Sequence, residues 1–297
     1  MRFAVALPSD QVQMAGDFLM DGALGETAAA IEEAGLDGCF VTDHPAPDDR
    51  WLAGGGHHAL EPTVALSFAA AATTRLRLIT NIYVLGYRNP LLAAKSLASL
   101  DVLSGGRLTV GVAAGYLRSE FHALGAGFDE RNSLLDSGIE VLIEAWRGES
   151  VVGSGRGWSA RGATILPRPL QRPHPPIWCG GNSRAAIRRA VRFADAWLPF
   201  PTPAGLAGAA RTAEIRDTAA LATRIEMLRA ECGLAGRDEP PEVCFAPFAA
   251  VTDPGFVDEV GELGRLGVSW CMLTLPTDSR ARWTDEVANL AAAVRTT

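Results

Sequence analysis

The sequence is poor in the features that mark several function classes. Its five cysteines, Cys39, Cys179, Cys232, Cys244 and Cys271, are odd in number and include no CxxC pair. Four of them lie in strand-like apolar runs, so they read as buried thiols packing as small hydrophobes in a reducing compartment rather than as a disulfide or metal framework. The five histidines contain no HExxH pattern, and the adjacent pair His57-His58 sits in a glycine-rich loop, which argues against a metal site. No uninterrupted apolar run reaches the roughly 18 residues of a membrane span, and the chain opens on the strand-like Arg2-Phe3-Ala4-Val5-Ala6-Leu7 rather than on a signal peptide. Positive charge is in deficit: the net charge of −7 argues against a nucleic-acid partner and against an anionic membrane surface. The glycines of Gly153-Ser-Gly155-Arg-Gly157 do not link a strand to a helix, so they form no dinucleotide fingerprint. A cytoplasmic protein is expected.

What is present is an ample core. With 297 residues, 48% hydrophobic and 21% charged, the chain has the composition of an ordinary globular protein, long enough for two average domains or one large α/β barrel. The stretch Arg75 to Tyr116 organises it. Leu76, Leu78, Thr80, Ile82 and Val84 alternate with Arg77, Ile79, Asn81 and Tyr83, which predicts a strand. Asn89-Pro90 starts a helix, since asparagine can accept from free amides and proline at the first helical position lacks one. Ser104-Gly105-Gly106 ends it, and Leu108 to Val112 follows as a parallel neighbour strand, because the connection is a crossover in length. Thr80 and Asn81 place polar groups inside the first of these strands, where they require partners.

The same alternation runs through the chain. Strands are expected at Arg2–Leu7, Cys39–Val41, Leu76–Val84, Leu108–Val112, Ile177–Cys179, Ala196–Leu198, Val243–Val251 and Val268–Leu275. Helices between them carry apolar stripes such as Leu24, Ala28 and Ile31, or Leu135, Ile139, Leu142 and Trp146. The loop Ala46–Leu60, with Gly54-Gly55-Gly56, and the Pro/Ala/Gly-rich Pro199–Gly208 read as covers, the first of them equally as surface slack. Residues 149–176 read as an insertion, a hairpin plus an extended run, within a single domain of residues 1–297. Eight strands alternating with eight helices predict an α/β fold, a (β/α)8 TIM barrel with loop insertions, in preference to an open doubly wound sheet.

In such a barrel the working residues lie at the C-terminal strand ends. That rule selects Pro8 and Ser9, Asp43 and His44, Thr80 to Ile82, Ala114 to Ser119, Cys179 to Ser183, and Trp197. His44, at a strand end, has the chemistry to transfer a proton near neutral pH. Gly180-Gly181-Asn182-Ser183 reads either as an anion cradle at a helix N-terminus or as a plain capped turn. Arg184 and Arg188, one turn apart, would steer an anionic ligand or form a solvated face.

The run LDxLSGGRLxxGVxxG from Leu100 to Gly115, followed by Glu120-Phe121, resembles the signature of the luciferase-like monooxygenase family, which includes F420-dependent oxidoreductases. Ala34-Gly35, Asp43-His44, the PLQRPHPPIWCGG run from Pro169 to Gly181, and Ala194 to Trp197 extend the resemblance over almost the whole chain. The resemblance implies the luciferase-like form of the barrel and F420 as cofactor, with FMN as the alternative. It favours the phosphate reading of the cradle and puts His44 in the catalytic role. Asp43, Thr80, Asn81, Ile82, Ala114, Gly115, Tyr116, Ser119, Cys179, Gly180, Gly181 and Asn182 would be cofactor-binding. It further implies a non-proline cis peptide between Asn81 and Ile82. In the glucose-6-phosphate dehydrogenase branch a glutamate follows the strand-four glycine; Tyr116 stands there, which puts sugar-phosphate chemistry in doubt. The implied activity is hydride transfer between reduced F420 and a small organic substrate. An FMN-dependent two-component monooxygenase and a non-catalytic flavin-binding protein are the alternatives. A separate flavin or F420 reductase and a homodimer are the implied partners.

Overall fold

The apolar runs become a closed ring of eight parallel strands in a computed structural model that describes residues 1–202, 208 and 212–295. In chain order the strands are β1 (Arg2–Ala6), β2 (Gly38–Val41), β3 (Arg77–Tyr83), β4 (Leu108–Val112), β5 (Val151–Gly155), β6 (Trp158–Ala163), β7 (Ile177–Gly180), β8 (Ala196–Leu198), β9 (Glu242–Phe245) and β10 (Val268–Leu273). All but β5 and β6 belong to the ring, which runs β1-β2-β3-β4-β7-β8-β9-β10 and closes where Phe3 pairs with Cys271. β5 and β6 form a separate antiparallel hairpin. The expected barrel is therefore the observed one. The expected strand at Val243–Val251 stops at Phe245. Beyond that point the amides of Phe248 and Ala249 donate to the Glu259 carboxylate at 2.7 and 2.8 Å, in place of a ladder.

Closure gives every strand two buried faces, so side-chain alternation sorts residues between two layers rather than between core and water. Phe40, Ile79, Trp178, Trp270 and Met272 fill the barrel interior, with the Trp178 and Trp270 rings edge to face at 5.3 Å. Their chain neighbours, among them Phe3, Cys39, Leu78 and Cys271, pack outward against the helices. All five cysteines are buried and free. The tightest point is where β3 meets β4. Thr80 Oγ1 donates to the Gly111 carbonyl at 2.9 Å, and a Cβ at Gly111 would lie 2.1 Å from the Thr80 carbonyl oxygen, so only glycine fits. Just beyond, the β3–β4 register shifts between Thr80 and Tyr83, and the Asn81–Ile82 peptide is cis, as the resemblance implies.

The first part of the signature run, Leu100–Leu108, lies at the opposite, N-terminal end of β4, and its work is structural. Asp101, near the end of the helix Pro90–Leu103, is fully buried. Its carboxylate accepts from the amides of Leu170 (2.7 Å) and Gln171 (3.2 Å) and from Gln171 Nε2 (2.7 Å). Gln171 in turn accepts from Arg77 and donates to the Leu108 carbonyl. Arg107 donates to the carbonyls of Ala70, Thr73 and Leu76, satisfying the end of the helix Pro62–Ala72. The signature thus staples the proline-rich segment and a neighbouring helix to the barrel bottom.

Asp101→Ala leaves three donors without their acceptor, and a buried polar group stranded in this way costs roughly 1–3 kcal/mol. A fall in stability of about 2–3 kcal/mol in urea unfolding is expected, with ligand binding at the far end of the barrel retained by the folded fraction. An unchanged midpoint would remove the staple from this account.

Candidate active site

At the C-terminal rim of the barrel a cleft of about 410 Å³ opens between the ends of β2, β3, β4 and β7. Asn81, Ile82, Ala114 and Gly115 form its floor; Asp43, His44 and Tyr116 stand at one end, and Ser183, Ala185 and Arg189 at the other. The structure thus brings most of the expected residues together. Four expected cofactor residues sit elsewhere. Thr80 spends its hydroxyl on Gly111 inside the sheet. Cys179 points into the outer layer, where burial pushes its thiol up to about 12 and leaves it inert. Ser119 donates to the Asp48 carboxylate. Asn182 is fully buried, donating to the Phe200 and Ala213 carbonyls and accepting from the Phe200 amide, so its side chain ties β7 to the segment after β8.

The free amides at the start of the helix after β7 lie a few residues beyond the two glycines. Gly181 adopts φ +116°, and its amide donates to the Leu198 carbonyl at 3.2 Å, so that amide is not available to a ligand. The Asn182 amide is likewise taken, by Thr212 Oγ1. Ser183 caps the helix Arg184–Phe193 by accepting from Ala186 N. That leaves the amides of Ser183, Arg184 and Ala185 as the first-turn donors, supported by the positive end of the helix dipole. Trp197 contributes from behind, its indole nitrogen donating to the Gly181 carbonyl at 2.8 Å. Arg184 and Arg188 prove to be a solvated face, both paired with Glu231. Of the arginines on this helix, the one that lines the cleft is Arg189, one turn on from Ala185 and held by Asp136 and by Asn132 Oδ1; Arg131, from the helix Arg131–Arg147, lines the cleft as well. Sequence reasoning missed Arg189 because its helix faces inward at Ala185 and Arg189, not at Arg184 and Arg188.

Two buried carboxylates define the other end. Asp43 accepts a two-pronged contact from Arg88, at 2.6 and 2.9 Å, and a third bond from the Val84 amide at 2.8 Å. Burial pushes the Asp43 carboxyl upward and Arg88 pulls it back, with a net shift upward from the ordinary carboxylate value. Burial alone would lower Arg88, but the Asp43 carboxylate overrides it and keeps the guanidinium protonated. That guanidinium also lies over the Tyr83 ring at 4.0 Å. Asp43 therefore pins the end of β2 to the loop after β3.

Glu120, 2% exposed, accepts or shares a proton with His44 Nδ1 at 3.2 Å, and its other oxygen accepts from the Ala46 amide at 3.3 Å. It was visible in the sequence as part of Glu120-Phe121, yet nothing local reveals a partner 76 residues earlier. His44 is further enclosed by Trp51, with ring centroids 4.4 Å apart, and by His57 at 5.0 Å. Both belong to the Ala46–Leu60 segment, which contains the short helix Asp49–Ala53 and is tied down by Glu120, by Ser119 and by a Leu60 amide bond to the Ser9 carbonyl. The Pro199–Gly208 cover lies largely outside the described residues.

Arg88→Met removes the only full cation in contact with Asp43 among the described residues, and a buried charge left without its partner costs about 3–5 kcal/mol. Adding Asp43→Asn is expected to recover part of that loss, which a double-mutant cycle by thermal or urea unfolding reads directly. A single-mutant loss below about 1 kcal/mol, the level of a surface pair, would contradict the buried ion pair.

The geometry agrees with what the chain is similar to. A family model described as luciferase-like monooxygenase matches residues 1–254. An FMNH2-dependent dimethylsulfone monooxygenase from Pseudomonas putida is 34% identical over 226 residues, covering 72% of this chain and 61% of that protein, so the match spans less than two thirds of that relative's length. Among solved structures, the monooxygenase RslO1 from Streptomyces bottropensis superposes with a TM-score of 0.74 at 23% identity, covering 97% of this chain and 98% of that one. An F420-dependent secondary alcohol dehydrogenase superposes at 0.73 and 17%, covering 99% of both chains. These two likenesses carry the barrel fold alone; the family model, with the sequence relative, places this chain in the luciferase-like monooxygenase family.

Proposed function

We propose that the protein is an oxidoreductase that moves a hydride between reduced F420, a deazaflavin, and a small organic substrate, with the accompanying proton handled at the His44 end of the cleft. The residues fit such a cofactor. The cleft volume lies in the range of small-molecule sites, and its ends differ as the ends of a flavin-type molecule do. The amides of Ser183, Arg184 and Ala185, beside Arg189, would hold a phosphate. Asn81, Ile82, Ala114 and Gly115 would hold the ring; a Cβ at Gly180 would come within 3.2 Å of Ala113 Cβ and 3.4 Å of Ile82 Cγ2, so the wall is already close-packed. When bound, F420 supplies a two-electron carrier that gives or takes a hydride.

The observation that carries the reading is the buried His44–Glu120 pair beside Tyr116. Hydride addition to a carbonyl or activated alkene leaves negative charge that one proton must neutralise, and a positioned acid in a water-poor wall meets that need. Glu120 holds the imidazole in one orientation, Trp51 and His57 exclude water from its faces, and Asp43 with Arg88 fixes the strand end that carries it.

A second reading, an FMN-dependent two-component monooxygenase, is favoured by the 34% identity to the Pseudomonas putida enzyme. In either reading a separate reductase would supply the reduced cofactor. Absorbance and fluorescence titrations of the purified protein with F420 and with FMN separate the two. F420 binding with anaerobic oxidation of reduced F420 by a carbonyl or enone panel is expected. Oxygen uptake with reduced FMN and no use of F420 would establish the second reading instead. His44→Ala is expected to lower turnover by about 100-fold or more while cofactor affinity changes by only a few-fold; equal kinetics would return His44 to a structural role.

A further inference from the structure

Both ring nitrogens of His44 already have a partner in the wall. Nδ1 is taken by Glu120 at 3.2 Å, and Nε2 is directed at the Tyr116 hydroxyl at 3.4 Å. Both residues line the cleft, but His44 is 8% exposed and Tyr116 38%. The backbone aims the tyrosine there. Gly115 turns at φ +76°, where a Cβ would strike Val84 at 2.8 Å and Phe121 at 2.9 Å, and the chain leaves that turn with Tyr116 pointing toward β2. The Tyr116 and His44 rings meet edge to face at 5.9 Å.

Resting on the hydride-transfer reading, we propose that Tyr116, not His44, is the group that exchanges the proton with substrate, with His44 as its resupply and Glu120 as the residue that positions His44. A carboxylate only accepts, so Glu120 fixes a proton on Nδ1 and leaves Nε2 as the atom that trades protons with the phenol oxygen. In the reducing direction, the hydride supplied by reduced F420 reaches the carbon of a carbonyl substrate and forms the new C–H bond. The C=O π electrons move to oxygen, and that oxygen takes the Tyr116 proton. His44 Nε2 takes a proton from solvent and passes it to the phenolate, while Nδ1 keeps the proton held against Glu120. The substrate would gain two electrons and one proton beyond the hydride's own hydrogen nucleus, the electrons coming from the reduced cofactor. The 3.4 Å contact is long for a hydrogen bond, as contacts of this kind often are before substrate closes the site. Burial, reinforced by Glu120, pushes Tyr116 up to about 12, so the phenol keeps its proton until substrate takes it.

The position suits a carbonyl compound. Tyr116 offers one hydroxyl donor and no charge, and the acids behind it are already engaged, Glu120 by His44 and Asp43 by Arg88.

Two measurements test the assignment, one of them on the cofactor-free protein. In ¹⁵N imidazole spectra, assigned with His44→Gln, the expected result is a protonated Nδ1 and a His44 Nε2 resonance that moves in Tyr116→Phe. Glu120→Gln is expected to shift the tautomer balance. In turnover with F420 and an uncharged ketone or enone, Tyr116→Phe is expected to lose about 100- to 10,000-fold in kcat, with F420 affinity within about two-fold, since the phenol supplies one proton and no contact to the phosphate end. Glu120→Gln is expected to lower kcat and displace its pH profile with little change in KM. A Tyr116→Phe protein that binds F420 and turns over at the parent rate, or an Nε2 resonance indifferent to Tyr116, would overturn the proposal. Failure of every variant and the parent to bind F420 would instead sink the cofactor reading, while the imidazole spectrum still decides the Tyr116–His44 contact.

Discussion

The closed parallel ring is the constraint on which everything else in this chain depends. A parallel ladder leaves no polar edge only when it closes, and closure brings eight strand ends to one rim while burying both faces of each strand. The most crowded point of the ring lies directly beneath the cleft. Thr80 and Gly111 are in contact through both a side-chain hydrogen bond and a carbonyl that excludes any Cβ. The register shift that follows lifts Asn81 and Ile82 onto the cleft floor. Packing at the level below therefore decides which backbone atoms a ligand meets.

The two buried carboxylates of the rim show how similar groups take different work from their partners. Asp43 is saturated by three strong donors and bound to a guanidinium that cannot lose its proton, so it holds geometry. Glu120 faces an imidazole, the one side chain whose ordinary titration falls near neutrality, so its contact can carry a proton. Exchanging the partners would exchange the roles, even though the two acids are equally hidden from water.

Much of the barrel was legible in the sequence because alternation and crossover length are local properties. The strands around Thr80 and Val110, and the helices on either side, follow from spacing alone. The cleft was legible only in part. Asp43, His44 and Tyr116 line the cleft because they follow strands, while Thr80, Cys179 and Asn182 lie away from it, since a strand-end rule does not say which layer a side chain enters. Gly181 was right as a glycine and wrong as a donor, since its amide belongs to Leu198. Glu120, Arg88 and Arg189 act through partners 45 to 76 residues away in sequence, and no periodicity records such a pairing. The first half of the signature sits at the barrel bottom, where Asp101 and Arg107 fasten segments, and its second half, through Gly115 to Glu120, reaches the cleft.

That separation explains why relatives of this chain differ in cofactor while sharing a barrel. The stapling residues at the N-terminal end are indifferent to whatever occupies the rim, so rim residues can change without loss of the frame. The first-turn amides of the helix after β7 are backbone groups, and in the proposed reading they would meet a phosphate whatever ring is attached to it. Discrimination has to come from side chains at the other end, and there the wall is built from His44, Trp51, His57 and Tyr116, three of them from β2 and the segment after it. Since Ser119 and Glu120, on the helix after β4, tie that segment down, this wall of the cleft and the contacts that hold it come from two neighbouring crossovers. The chemistry at the rim therefore depends on a small, self-contained part of the ring.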